Sequence, residues 1–198
     1  MRLFLIKLLY VICSPITSLF MKVNGVKTKG IVFTSGFPYL FRGNGSEISF
    51  GKKVRMLNLP WMNSIGLTHR CIITTEKDAK LVIGDNVGMS GASIWCYKNI
   101  TVDDNVRIGA NCVITDGDAH LDDPRSGEPK TVHICENVWL GKNVTVLKGV
   151  TIGENSLIGA GSIVTKDIPD NVVAAGNPCK VVKYFDKNKI KDIEKYFK

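Results

Sequence analysis

No two cysteines in this sequence are spaced as a metal or redox motif. Cys13, Cys71, Cys96, Cys112, Cys135 and Cys179 are scattered, with no C-x-x-C and no clustering with histidine. A zinc finger or a disulfide framework is therefore excluded as the organising device. Reduced, mostly buried thiols in a cytoplasmic protein are expected, and no metal. Low-complexity sequence is also missing: 44% of residues are hydrophobic and 22% charged, an ordinary globular balance without a flexible linker. At 198 residues the chain can bury one substantial core, with a small appendage at most.

Recognisable nucleic-acid modules are absent as well, so no nucleic-acid partner is expected. The excess of 26 Lys+Arg over 18 Asp+Glu, a formal charge of +8, points to other anions such as phosphorylated cofactors or lipid headgroups. Part of that charge lies in the lysine-rich tail "CKVVKYFDKNKIKDIEKYFK", where Ile190, Ile193 and Phe197 fall at helical spacing. The pattern predicts an amphipathic C-terminal helix whose basic face is solvated.

A long uninterrupted apolar run is missing too. The opening "MRLFLIKLLYVICSPITSLFMK" is strongly apolar, but Lys7 interrupts it, Pro15 should break a helix, and no small-x-small cleavage site follows. Neither a spanning helix nor a signal peptide fits. Residues 1–22 read as a short apolar helical segment with two equal destinations. It lies on a membrane surface with Arg2, Lys7 and Lys22 toward headgroups, or it packs on the body or on a neighbouring subunit.

What the chain does have is a repeat. From Ile134 it reads in sixes as "ICENVW LGKNVT VLKGVT IGENSL IGAGSI VTKDIP", with Ile134, Leu140, Val146, Ile152, Ile158 and Val164 in first position. Fifth positions are small or β-branched, and Gly or polar residues dominate the second and fourth. An α-helix, at 3.6 residues per turn, would carry a six-residue repeat around its surface. A chain that turns a corner every six residues keeps it inside, with Gly, Asn and Asp at the corners. Earlier hexads, "IGDNVG MSGASI" and "VDDNVR IGANCV ITDGDA", and a fainter "FGKKVR MLNLPW", extend the pattern from roughly residue 50 to 169. Stacked short strands without helices are predicted.

These hexads, followed by "VTKDIPDNVVAAGNPCKVV", closely resemble the hexapeptide-repeat acyltransferases, most of all the sugar and polysaccharide O-acetyltransferase branch that includes the maltose and galactoside enzymes. The resemblance covers about residues 50–183 and implies an all-β fold, a left-handed parallel β-helix of triangular section. It also implies a homotrimer with active sites between subunits. The expected organisation is an apolar N-terminal helix (1–22), a lead-in (23–49), the β-helix (50–175) with a loop at 117–131, and a C-terminal segment and helix (176–198).

The rhythm fails at "ITDGDAHLDDPRSGEPKTVH", where the chain leaves the coil after Ala119 in a Pro-, Gly- and Asp-rich loop. In the resembling enzymes a histidine at the root of such a loop is the catalytic base, which places His120 in that role. Neutral imidazole suits removal of a proton from a sugar hydroxyl, and Asp116 or Asp118 could fix its tautomer. No nucleophile motif accompanies it, so direct transfer from acetyl-CoA is expected rather than an acyl-enzyme. His133 and His69 read as structural or surface histidines.

Carried over by position, the resemblance assigns Trp139 to the thioester end of acetyl-CoA and Gly141, Lys142 and Ala160 to its pantetheine arm. Thr165 and Lys166 fall to the nucleotide end, and Lys180 and Lys183 to the phosphates. The acceptor side departs from the pattern. The galactoside and maltose enzymes carry an acceptor-binding asparagine in the coil matching "GMSGASIWC", and here Ser90, Ser93, Trp95 and Tyr97 occupy the region instead. With the apolar N-terminus, this turns the expected acceptor from a free disaccharide toward a polysaccharide or lipid-linked glycan, handled at the inner face of the membrane. Two other readings share the fold. One is a non-catalytic scaffold. The other is a zinc enzyme of the γ-carbonic anhydrase type, whose histidine spacing the gaps of 51 and 13 residues here do not match.

Overall fold

A computed structural model of the protein describes residues 2–120 and 122–197, without the side chains of residues 2–7 and Glu194. The places expected for the side chains of Arg2 and Lys7 lie outside the described residues. The hexad builds what its period demands: each turn of the coil contributes one strand to each of three sheets, of six, eight and six strands, parallel except for the last pair of the eight-stranded sheet. One sheet runs through Lys27–Thr28, Glu47–Phe50, Lys80–Ile83, Asn99–Val102, Val132–Ile134 and Thr151–Ile152. The fold is a left-handed parallel β-helix, against the usual hand of parallel crossovers.

Inward side chains stack in columns. Met56, Met89, Ile108 and Leu140 form one, Ile73, Ile94, Ile114 and Val146 another, all buried. Truncating one of the larger aliphatics to Ala would cost about 2–5 kcal/mol. A corner column holds only small residues, Cys71, Ala92, Cys112, Val144 and Ser162, which accounts for two of the scattered cysteines as corner packing. At another corner Asn86, Asn105, Asn137, Asn155 and Asn171 all adopt φ of 58 to 61°. Their amides join coil to coil: each Nδ2 donates to the next Oδ1 at 2.9 to 3.1 Å, and Arg55 donates into the near end.

The β-helix starts a full turn before residue 50. Lys27–Thr28, Phe33–Ser35 and Tyr39–Arg42 pair in parallel with the strands of the next turn, so most of the expected lead-in is coil. Helix α1 (Arg2–Val23) runs unbroken through Pro15. Pro15 is exposed on the outer face, and the loss of one helical bond there is offset by anchors on either side. Val32 N–H donates to Ser18 Oγ at 2.9 Å and Thr34 N–H to Ser14 Oγ at 3.0 Å, so the helix closes the open edge of the first turn.

Between strands Arg55–Leu57 and Ile72–Thr75 the chain leaves the coil for residues 58–71, with a short 3-10 turn at Pro60–Met62. His69 therefore sits inside the second turn rather than ahead of the coils. At the far end Val172–Ala175 pairs antiparallel with Lys180–Tyr184, and α2 (Lys187–Phe197) follows as the spacing predicted.

Candidate functional site

The loop at 117–131 is clamped where it leaves the coil. Asp116 takes a corner position that small residues hold in the turns below, and its buried carboxylate accepts three backbone N–H groups: Tyr97 at 2.6 Å, Lys98 at 2.8 Å and Asn99 at 2.6 Å. Its carbonyl accepts from Lys130 N–H at 2.8 Å, tying the exit of the loop to its return. Asp118 pairs with Lys148 at 2.5 Å and accepts from Gly127 N–H at 3.2 Å. Lys148 also donates to Gly127 O at 2.9 Å. The Lys148 ammonium holds the Asp118 carboxyl below the usual carboxylate range.

His120 rides on this frame. Its carbonyl accepts from Asp123 N–H at 3.1 Å and from the Ser126 hydroxyl. The imidazole is exposed and has no hydrogen-bond partner among the described residues. Asp116 and Asp118, both read from sequence as able to orient that ring, are committed to the backbone and to Lys148 instead.

Beside the loop root, Trp95 and Tyr97 stack with ring centroids 4.9 Å apart and planes 30° from parallel. Trp95 pairs with Thr115 across the sheet, and its Nε1–H donates to Glu76 at 2.8 Å. Burial, then the charges of Glu76, Asp116 and Asp118, push the Tyr97 hydroxyl up to about 12. Ser90 and Ser93 are elsewhere. They flank the corner at Gly91, where a Cβ would lie 2.6 Å from the carbonyl of His69. The four acceptor candidates thus divide between two corners.

The cofactor candidates divide in the same way. Trp139, half exposed, faces a groove of about 490 Å³ that Arg107, Leu157, Lys183, Tyr196 and Phe197 also line. The Arg107 guanidinium stands 4.7 Å from the Tyr196 ring centre, so α2 forms one wall. Gly141 and Ala160 touch at the next corner, where a Cβ on Gly141 would meet the Ala160 nitrogen at 2.7 Å. Lys142 reaches back to the Ile65 carbonyl at 3.1 Å. Lys180 is exposed at the edge of the last strand pair. Thr165 and Lys166 stand across one side of the triangle, exposed at the corner of Lys148 and the His120 loop.

The three histidines are held in three different settings. His69 Nδ1 lies 2.8 Å from the Arg70 carbonyl, and His133 Nε2 lies 2.7 Å from Asp103. The expectation that no cysteine clusters with histidine needs correction, because Cys135 Sγ lies 3.9 Å from His133 Nδ1. Residues two apart in extended chain project to the same face, which the spacing His133-Ile134-Cys135, running one residue past the strand Val132–Ile134, could have revealed. Sequence reasoning also missed Glu76, Lys148 and the excursion at 58–71.

Residues 131–166 match the model for the bacterial transferase hexapeptide, six repeats. Among curated proteins, the chain is 47% identical over 102 residues to galactoside O-acetyltransferase of Escherichia coli strain K12, covering 50% of this chain and 48% of that one. It is 49% identical over 122 residues to galactoside O-acetyltransferase of Lactococcus lactis subsp. lactis strain IL1403, covering 55% and 56%. The chain therefore spans about half the length of the curated relatives it matches. A similar solved fold is AntD, an N-acyltransferase from Bacillus cereus in complex with dTDP and 3-hydroxybutyryl-CoA. Its TM-score is 0.67 at 19% identity, over 91% of this chain and 94% of that one.

Proposed function

We propose that this chain, whose coils place it with the hexapeptide-repeat acyltransferases, moves an acetyl group from acetyl-CoA to a hydroxyl of a sugar or glycan, with His120 as general base. The observation that carries the reading is the His120 imidazole, exposed and unpartnered on a loop whose two ends are bonded to the coil. The acceptor oxygen attacks the thioester carbonyl while His120 takes its proton. A backbone N–H stabilises the oxyanion, the C–S bond breaks, and the imidazolium returns the proton to the leaving thiolate. Asp116 and Asp118 act here as positioning residues for the loop. A cysteine acyl-enzyme is disfavoured, because burial raises the thiols of Cys71, Cys96, Cys112, Cys135 and Cys179 above their ordinary range.

The two separated groups of cofactor candidates support a homotrimer. Trp139, Gly141, Lys142, Ala160, Lys180 and Lys183 of one subunit would meet Thr165, Lys166 and the His120 loop of the next, with acetyl-CoA between them. The stacked Trp95–Tyr97 pair beside the loop root offers an aromatic face to a sugar ring, while Ser90 and Ser93 would face the neighbouring site. The relatives named for galactoside support a sugar acceptor. The altered acceptor region and apolar N-terminus favour a polysaccharide or lipid-linked glycan, used by a cytoplasmic protein held peripherally at the inner face of the membrane. Release of CoA thiol, measured over a panel of sugars and nucleotide sugars, tests the assignment. His120→Ala should abolish turnover above background, and unchanged turnover would overturn it.

A further inference from the structure

Helix α1 is amphipathic in the inverted sense. From Leu8 onward, its inward positions are Cys13, Ser14, Thr17, Ser18 and Met21, all buried, and two of the hydroxyls accept backbone N–H groups of the first turn. Its outward positions are Leu8, Val11, Ile12, Ile16, Leu19, Phe20 and Val23, with Val11, Leu19 and Val23 exposed by 71%, 63% and 78%. A helix covering a soluble body normally buries its aliphatics and shows its hydroxyls to water. Here the serines are used up by the coil edge, and the aliphatic row faces out. The first turn of the coil adds Phe33, Phe37, Tyr39 and Phe41, also exposed. A row of seven exposed apolar side chains on one helix face marks an interaction site.

Charge decides what covers it. Residues 1–46 contain six basic residues, Arg2, Lys7, Lys22, Lys27, Lys29 and Arg42, and no acidic one. The first acid, Glu47, pairs with Lys27 at 3.3 Å. An end-to-end pairing of two copies would bring a cationic end against a cationic end, with no acid in residues 1–46 to neutralise it. A bilayer with anionic headgroups offers hydrocarbon to the aliphatic row and negative charge to Lys22 and Lys29, both exposed. No described helix is long and apolar enough to cross a membrane, and the serine bonds hold α1 flat against the end of the coil.

We infer that the outward row of α1 is a docking face for an anionic lipid bilayer. The inference deepens the peripheral-membrane part of the function proposed above and is independent of His120. On binding, the coil axis would stand away from the membrane, with α1 in the interfacial plane.

Co-sedimentation of the full chain with phosphatidylcholine/phosphatidylglycerol vesicles, and with phosphatidylcholine alone, tests it. The native chain should pellet with the mixed vesicles and weakly or not at all with the neutral ones. Ile16→Ser/Leu19→Ser/Phe20→Ser leaves every inward contact of α1 in place and should reduce partitioning by more than about tenfold. Lys22→Glu/Lys29→Glu, which keeps the apolar row, should remove the preference for phosphatidylglycerol and decides the matter if the triple variant misfolds. Failure of the native chain to pellet with either vesicle, or equal pelleting with both, would overturn the inference while leaving thiol release untouched. A triple variant that binds as before, or one that loses oligomer mass from a native chain that never binds vesicles, would overturn it as well.

Discussion

Gly117 lies directly beneath the ring of Tyr97: a Cβ at 117 would come 2.5 Å from Tyr97 Cδ2 and 2.6 Å from Cγ. Backbone and ring touch where the chain leaves the coil, so the start of the His120 loop is set by the position of an aromatic side chain from the preceding turn. Gly117→Ala should therefore displace both the Trp95–Tyr97 stack and the loop root. With His120 as the proposed base, thiol release is expected to fall by on the order of tenfold or more, since a small misplacement of such a group is enough. Circular dichroism should stay native, because the coil core is untouched. Full activity in this variant would show that the loop root tolerates movement.

The Asp118–Lys148 pair holds the same loop from its other side, and Lys148→Met should free it. Limited proteolysis is expected to cut within 117–131 faster than in the native chain, with reduced thiol release and a nearly unchanged melting temperature. The pH dependence has a definite sign. The Asp118 carboxyl is held low by the Lys148 hydrogen bond and by Gly127 N–H. The pair is therefore complete above the ordinary carboxylate pKa of about 4 and is lost only as pH falls through the lowered value. Protease sensitivity of the native loop should stay flat through neutral pH and rise only in acid. A rise beginning near pH 6 would implicate another group.

The coil was legible because its period is visible without register: the aliphatics from Ile134 to Val164 need only be counted in sixes. The first turn was hidden because its inward residues include Thr34, Ser35 and Ser46 beside Val26 and Val32, and an alternation carried partly by hydroxyls gives little hydropathy contrast. The excursion at 58–71 was hidden for a different reason. Asn58 closes its neck by accepting Cys71 N–H and donating to Thr34 and Gly36, bonds that no local motif announces. At the site, His120 stood out because the rhythm fails there. Lys148 and Glu76 did not, because each acts on a residue one turn away in the coil, 30 and 19 positions distant in sequence.

The asparagine ladder makes a prediction about stability rather than catalysis. Asn105 accepts from Asn86, donates to Asn137 and Glu136, and sits at a φ of 61°. Asn105→Ala loses those bonds and strains a left-handed corner, for an expected loss of roughly 2 kcal/mol. Asn105→Gly relieves the strain and loses only the bonds. Denaturant unfolding should rank native above Gly above Ala. Ala equal to Gly would mean the corner conformation contributes nothing.

Cys135 gives the sharpest chemical test of direct transfer. Its thiol is only partly buried and lies beside His133, an arrangement that elsewhere could generate a thiolate nucleophile. The surroundings act against that. Burial, then the carboxylates of Asp103, Asp170 and Glu154, raise it to about 11, and His133 bonds through its other nitrogen to Asp103. At pH 8 about one such thiol in a thousand is ionised. Alkylation by iodoacetamide, followed by mass spectrometry, should be slow at Cys135 at pH 8 and accelerate toward pH 11. Under the proposed direct transfer, in which no acyl group is bound to the protein, Cys135→Ser should keep native thiol release. Rapid labelling at pH 8 together with an inactive serine variant would instead place the thiol in the reaction path and remove His120 from sole responsibility for it.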